Sequence, residues 1–386
     1  MKVLILHQDI DGGTKNATEA IIEELKKEYP KHKFVIYRQK DPIVKGRLQY
    51  TRHLLWSIFD FHRYLNKKIL KDVDCVYFNI YSCAVAKYLS QHKNTPSFFH
   101  FHGNQEFVKT LESEKKRSWP GKLYNKFLGN IVNKLQRFAF SYSNKVCFVS
   151  AFAKNQFIKQ HKMQEYSHKT LVIPNGVNFK HFFPATSKEK EKTLNKLSFI
   201  NSKEKIITYS GRIDEKKGIN KIILALKKYK NKNIHLFIIH PKPREKQSIF
   251  YKKWLEEIIE KNNLKSKIHF FENPKNITSF YQISDLVLLP SEREYFSLVL
   301  LESFACGASF IGSKVGFIPE FLRKIDSRLI LDKNTPSEIG KKLDWFFSLK
   351  QSERDEINKK GNRVSKSFNW NSTAKKIFIE LKELIN

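Results

Sequence analysis

Short apolar runs alternate with longer stretches of helical periodicity from one end of this chain to the other. That alternation is the mark of parallel α/β architecture. In the first half, residues 2–7 read as a buried strand, followed by a glycine-containing loop and a helix over residues 16–28. Ala17, Ile21, Ile22 and Leu25 fall on one face of that helix. Residues 34–37, 75–80, 96–100 and 145–149 read as further strands, and 171–174 closes the half. The polar, lysine-rich stretch 187–205 reads as a link with little room for a core. A second series opens with a strand at 206–210 and a helix at 219–228. Strands at 234–239, 268–271, 286–289, 309–311 and 329–331 follow. Two Rossmann-like domains facing one another across a cleft are the economical reading.

Composition changes that picture in one respect. The 386 residues and 41% hydrophobic content suit two ordinary folded domains, but a net charge of +33 is far from ordinary. It favours a polyanionic partner: phosphate-bearing substrate, anionic membrane face or nucleic acid. Cys75, Cys83, Cys147 and Cys306 show no metal-type pairing and sit in apolar runs, so they read as buried thiols of a reducing compartment. The apolar start is too short for a signal peptide, and no run nears the roughly 18 apolar residues of a membrane span. The expected location is the cytoplasm, with any membrane contact peripheral.

Ligands of open α/β sheets bind at the carboxyl ends of strands. Three second-half segments follow strands there. Gly211 to Gly218 carries Arg212 and Lys217, two cations suited to a diphosphate. Read alone, the segment is equally a solvated charged turn. Pro290 to Ser297 leads into a helix stopped by Gly307, whose first amides, at 297–299, form an anion-ready terminus. Glu302 lies one turn into that helix amid apolar neighbours. A buried carboxylate needs a hydrogen-bond partner, and a ribose diol is an apt one; the alternative is an acid complementing the helix dipole. Gly316 to Glu320 is the third segment, a turn expected to wall the cleft.

These pieces in this order resemble the retaining family 4 glycosyltransferases (glycosyl transferases group 1) of GT-B fold. The matching residues are Gly211-Arg212 with Lys217-Gly218, Asp285 to Ser291, Glu294 with Glu302, and Gly316 with Pro319-Glu320. In the first half, Gly12-Gly13, His102-Gly103, Val149-Ser150 and Ile173 to Val177 agree, as does the closing Ser367-Phe368-Asn369-Trp370. The likeness covers essentially the whole chain. It implies an acceptor-side domain at 1–175, a nucleotide-sugar-binding domain at 176–365, and a C-terminal helix at 366–386 returning to the first domain. It implies Arg212 and Lys217 on the donor diphosphate, with backbone at Gly12 and Gly13 approaching the phosphates. Glu302 would hold the ribose. Glu294 would contact the sugar, assisted by amides of Phe296, Ser297, Leu298 and Val299, and His102 would hydrogen-bond to the sugar. It further implies a hexosyltransferase that needs no metal, taking a UDP- or GDP-sugar to a lipid-linked or cell-surface glycan. Three segments depart from the pattern: Tyr295 and Ser297 fill small positions, Phe317 replaces a glycine, and His240-Pro241-Lys242-Pro243 replaces a glycine loop.

Two acidic pairs, Asp9 with Asp11 and Asp72 with Asp74, have the spacing of a metal motif but no third ligand nearby. His100 competes with His102 for the catalytic role, since both share one strand face. Basic–aromatic stretches from Lys45 to Lys68 and from Lys115 to Arg137 suit an anionic membrane surface; alternatively, their aromatics pack in the core. The rival functions are a basic nucleic-acid-binding protein on the same scaffold, and a GT-B enzyme of another reaction such as a phosphorylase or epimerase.

Overall fold

The computed structural model describes the chain except residues 10–12, 41–72, 80–84, 86–87, 90–93, 103–118, 198, 201–203, 230–232 and 244–245. The apolar runs form two six-stranded sheets, parallel throughout. In the first, β1 (Lys2–Asp9), β2 (Lys33–Lys40), β3 (Cys75–Asn79), β4 (Ser97–Phe101), β5 (Lys145–Phe148) and β6 (Thr170–Val172) lie in the order β2-β1-β3-β4-β5-β6. In the second, β7 (Lys205–Ser210), β8 (Ile234–His240), β9 (Ile268–Glu272), β10 (Leu286–Leu289), β11 (Ser309–Ser313) and β12 (Ile330–Leu331) lie in the order β12-β11-β10-β7-β8-β9. Every residue of β3, β4, β8, β10 and β11 is buried, as expected of parallel strands covered on both faces.

Two compact units result: Met1–Asn175 together with Trp370–Asn386, and Gly176–Asn369. The terminal helix Trp370–Glu383 belongs to the first unit because its apolar face is satisfied there. It buries Trp370, Ala374, Ile377, Phe378 and Leu381, and Tyr29 stacks on Phe378 with ring centroids 3.5 Å apart. The Thr373 hydroxyl donates to the Pro174 carbonyl at 2.8 Å, and Lys145 pairs with Glu380 and Glu383.

The structure corrects one element. The stretch read as a bare link contains a helix, Ser187–Asn195, begun by a capping box between Thr186 and Glu189. Its continuation is not polar throughout. Leu194, Leu197 and Ile200 recur every third residue and pack on Ile206 and Phe237 of the second sheet and on Ile283.

In both sheets the chain turns back beside its first strand. β7, β8 and β9 run outward one way and β10, β11 and β12 the other, so the loops after β7 and β10 meet at a switch point. Such points are where ligands enter open α/β sheets. The loop after β10 runs into the helix Leu298–Ala305, held from behind by the helix Gln351–Ser365. Asn362 donates its side-chain amide to the carbonyls of Phe304 and Ala305 at 3.1 and 3.2 Å, and Gly361 faces the fully buried Phe304 ring.

A β-carbon at Gly361 would lie 2.0 Å from that ring. Alanine improves helix propensity by up to about 1 kcal/mol, but the overpacking outweighs it. We expect Gly361→Ala to destabilise the protein by about 1–3 kcal/mol, read from the urea midpoint at unchanged slope.

Candidate functional site

β7 ends at Ser210, and the following residues stay close to the sheet because the Gly211 N–H donates to the Ile239 carbonyl at 3.0 Å. The Tyr209 hydroxyl donates to the Arg212 carbonyl at 2.7 Å. Asp214 then caps a single 3₁₀ turn, Glu215–Lys217, by accepting from the Lys216 N–H at 3.0 Å. That turn delivers Arg212 and Lys217 differently. The Arg212 side chain is half exposed, with Asp214 3.8 Å away. The Lys217 ammonium reaches inward and donates to Glu294 Oε1 at 2.6 Å, where both side chains are largely buried. Ser291 donates its hydroxyl to the same oxygen at 3.2 Å.

Two glycines let these loops close on each other. Gly218 has φ 72°, and a β-carbon there would lie 2.4 Å from the Pro290 carbonyl oxygen. Gly316 has φ 60°, and its β-carbon would lie 2.2 Å from the Glu294 carbonyl oxygen. Positive φ is open to glycine at no steric cost, and here the space admits nothing larger. The Glu292 N–H donates to the Lys216 carbonyl at 2.7 Å, joining the first two loops directly.

Ser297 is the N-cap of Leu298–Ala305, accepting from the Leu300 N–H at 3.3 Å. The amides of Leu298 and Val299 begin the helix without intrahelical acceptors, which favours an anion beside them. One turn on, Glu302 is half-buried, and its Oε2 accepts from the Tyr281 hydroxyl at 3.0 Å. Burial pushes its carboxyl up to about 7, although the Tyr281 hydrogen bond pulls the other way. Tyr281 is fully buried on the helix Ile277–Ile283. The sequence alone singled out Ser291 only as part of the Asp285-to-Ser291 motif, with no role, and did not single out Tyr281 at all. A buried tyrosine hydroxyl ordinarily needs a partner, and that was the signal available.

The wall turn differs from expectation. Phe317 is buried, stacked on Phe296 at 4.5 Å and set against Phe368 at 5.2 Å. The residue in the glycine position therefore anchors the turn in the core. Glu320 is exposed on the short helix Ile318–Leu322.

In the first unit, Gly13 opens the helix Gly13–Glu28, whereas Gly12 lies outside the described residues. His7, on β1, contacts Glu19 Oε1 at 3.1 Å, and Arg38 grips Glu19 with two bonds of 2.9 Å. The Arg38 hydrogen bonds hold the Glu19 carboxyl below its ordinary range. His100 and His102 do share a face, with ring centroids 4.1 Å apart. His100 is buried and bonded through Nδ1 to the Tyr77 hydroxyl at 2.8 Å. His102 keeps a buried Nε2 with no hydrogen-bond partner among the described residues. Burial, then the nearby His7, pushes His102 down to about 3, so its ring is neutral at physiological pH. Of the acidic pairs, Asp74 accepts from the Lys2 N–H at 2.6 Å, while Asp11 and Asp72 are outside the described residues. Cys75, Cys147 and Cys306 are buried free thiols, and Cys83 is outside the described residues. The whole stretch from Lys45 to Lys68 is also outside; from Lys115 to Arg137, the helix Trp119–Tyr142 is described and leaves Phe127 65% exposed.

The family model for glycosyl transferases group 1 matches residues 190–364, and that for glycosyltransferase family 4 matches residues 16–181. The chain belongs to the group 1, family 4 glycosyltransferases. A D-inositol 3-phosphate glycosyltransferase of Corynebacterium urealyticum is 25% identical over 55% of this chain and 51% of its own length. An N-acetyl-alpha-D-glucosaminyl L-malate synthase of Bacillus anthracis is 27% identical over 51% of this chain and 48% of its own. The chain thus spans about half the length of these relatives. Among solved structures, sucrose-phosphate synthase of Thermosynechococcus elongatus superposes with a TM-score of 0.80 at 16% identity, covering 100% of this chain and 99% of that one. An Anabaena protein solved with UDP and glucose gives 0.74 at 17% identity, covering 99% of both chains. These likenesses show the GT-B fold.

For this family member, the Glu302 environment has a measurable cost. Its folded pKa stands above the unfolded carboxylate value, so the unfolded chain loses its proton first. Stability contributed by the neutral acid is present below about pH 4.5 and is lost as pH rises to about 7. Glu302→Gln should therefore match the wild type near pH 4 and exceed it at pH 8 by about 1–3 kcal/mol. Thermal melts across that range check this; a constant difference at all pH values would contradict it.

Proposed function

We propose that this chain transfers a sugar from a nucleoside-diphosphate sugar to a hydroxyl acceptor with retention at the anomeric carbon. The observation that carries the reading is the Lys217–Glu294 pair, set at the β7/β10 switch point beside a helix N-terminus and the half-buried Glu302. An ammonium, free amides and a carboxylate within one cluster of loops match the parts of such a donor. Lys217 has three N–H donors, so one bond to Glu294 leaves two for phosphate oxygens. Arg212 and the amides of Leu298 and Val299 add to that charge. Glu302 is assigned to the ribose hydroxyls and Glu294 to the transferred sugar.

In the reaction, the bond from the anomeric carbon to the β-phosphate oxygen breaks and the acceptor oxygen forms its bond on the same face. The acceptor proton passes to the departing phosphate oxygen, giving a glycoside and a nucleoside diphosphate. Cations fixed at the phosphates stabilise the charge that develops there. His102, whose ring burial keeps neutral, is assigned a hydrogen bond to the sugar. The reading includes a hexose donor carrying UDP or GDP, a lipid-linked or cell-envelope glycan acceptor, a cytoplasmic location and no requirement for a metal. It takes support from the family, in which relatives act on inositol phosphate and lipopolysaccharide according to their names.

The test is a panel of UDP- and GDP-sugars scored for thermal stabilisation and slow hydrolysis, with and without EDTA. One donor should both stabilise the protein and release its sugar with the α configuration or β configuration it began with. Lys217→Ala should lower kcat/KM for that donor by about 100-fold, and Glu302→Ala should weaken nucleoside diphosphate binding about tenfold. Silence across the whole panel would sink the reading; loss of turnover with EDTA would remove its metal-free part.

A further inference from the structure

The helix Lys246–Lys261 buries Tyr251, Leu255 and Ile259 against the second sheet's core and leaves a second apolar face uncovered. Phe250 is 78% exposed, Ile249 44% and Trp254 42%. Single exposed hydrophobes are normal. Three within six residues, with Phe250 and Trp254 one helical turn apart, form a patch. The indole of Trp254 is stacked on the buried Tyr251 ring at 5.6 Å. Lys246 and Lys253 are exposed on the same face, and exposed Lys242 precedes the helix. No acid occurs from Lys246 to Leu255, and of the acids that follow, exposed Glu257 lies one turn beyond Lys253 on this face.

We propose that this face, with Phe250 and Trp254 as anchors and Lys246 and Lys253 beside them, docks the chain on an anionic bilayer surface. Interfacial helices combine these groups: aromatics that enter the headgroup boundary, and lysines that meet anionic lipid. Each lysine near such a surface adds attraction that salt screens, and the +33 net charge draws the whole chain the same way. The aliphatic Ile249 in the patch, and lysines as its exposed cations, favour lipid over single-stranded nucleic acid, which would stack bases along a basic groove.

The patch has a place in the fold. The helix starts after the carboxyl end of β8, so its first half lies at the end of the sheet that carries the candidate site. The Tyr251 hydroxyl donates to the Asn220 side chain at 3.1 Å, two residues past Gly218. Docking would set those loops close to the lipid surface, where a lipid-borne acceptor presents its hydroxyl. The docking itself requires nothing of the donor chemistry.

Vesicle flotation of the full chain tests it, with phosphatidylcholine alone and with about one third phosphatidylglycerol. Wild type should float with the anionic vesicles and much less with the neutral ones, and high salt should reduce the recovery. The Phe250→Ser/Trp254→Ser pair should lower the partition constant at least about tenfold, with nucleotide binding unchanged and the melting temperature lowered only by the lost Trp254–Tyr251 stacking. Lys246→Gln/Lys253→Gln should lower it on anionic vesicles only. Undiminished flotation of the aromatic variant, or no flotation of the wild type, would overturn the proposal. So would loss of binding to a single-stranded oligonucleotide in that variant while vesicle binding stays intact. Failure of the nucleotide-sugar panel with flotation as expected would remove the proposed reaction and leave the docking surface standing.

Discussion

The backbone carbonyls of Pro290 and Glu294 leave no room for a side chain opposite them, and much of the second unit's carboxyl edge follows from that restriction. Gly218 faces one carbonyl and Gly316 the other, both with positive φ. The loop after β10 is thereby held between the loop after β7 and the turn after β11. Only at that separation does Lys217 reach Glu294 at 2.6 Å. The parallel sheet supplies the convergence, because the order β10-β7 places two loop-bearing strands side by side. The glycines set how near the loops come.

Close approach brings two carboxylates into a region of little water, and the two are treated differently. Glu294 receives a full positive charge and a serine hydroxyl. Glu302 receives one tyrosine hydroxyl, too little to offset its desolvation, and its carboxyl is pushed up to about 7. An acid left short of hydrogen bonds in the folded protein stands ready for a ligand that supplies them. A diol with two O–H donors is such a ligand. The aromatic packing beneath, Phe296 on Phe317 and Phe317 on Phe368, keeps the acid-bearing loop from relaxing toward solvent. Perturbed acids of this kind concentrate at functional sites.

Strands and loops were legible because parallel strands must be apolar throughout and their loops must be polar. All twelve strands of the described residues correspond to runs visible in the sequence, six of them one to four residues longer than read and four one residue shorter. The order GR, KG, then Glu294 and Glu302 was legible as a family pattern. Contacts between distant segments were not. Nothing near position 281 announces that its hydroxyl will meet an acid 21 residues on, and the bond from Ser291 to Glu294 depends on how the loop between them folds. Phe317 misled for the same reason: a bulky residue in a loop pattern reads as an altered wall, whereas burial makes it a support. The Ser187–Asn195 helix was hidden by its lysines, since three apolar residues at wide spacing carried its attachment.

Charge remains the feature that local chemistry does not exhaust. The candidate site employs Arg212 and Lys217, yet the chain holds 71 lysines and arginines against 38 acids. Two cations and a helix terminus suffice to hold a diphosphate, so the surplus acts at longer range. A field of one sign raises the local concentration of anions and speeds their capture, falling off within about 8 Å in physiological salt. It cannot fix an orientation, because distributed charge is nearly indifferent to rotation. Orientation needs a local apolar contact, and the exposed Phe250 and Trp254 provide one at the same end of the sheet as the charged loops. Attraction and orientation are then separable properties of one surface, the first set by the whole sequence and the second by a single turn of helix.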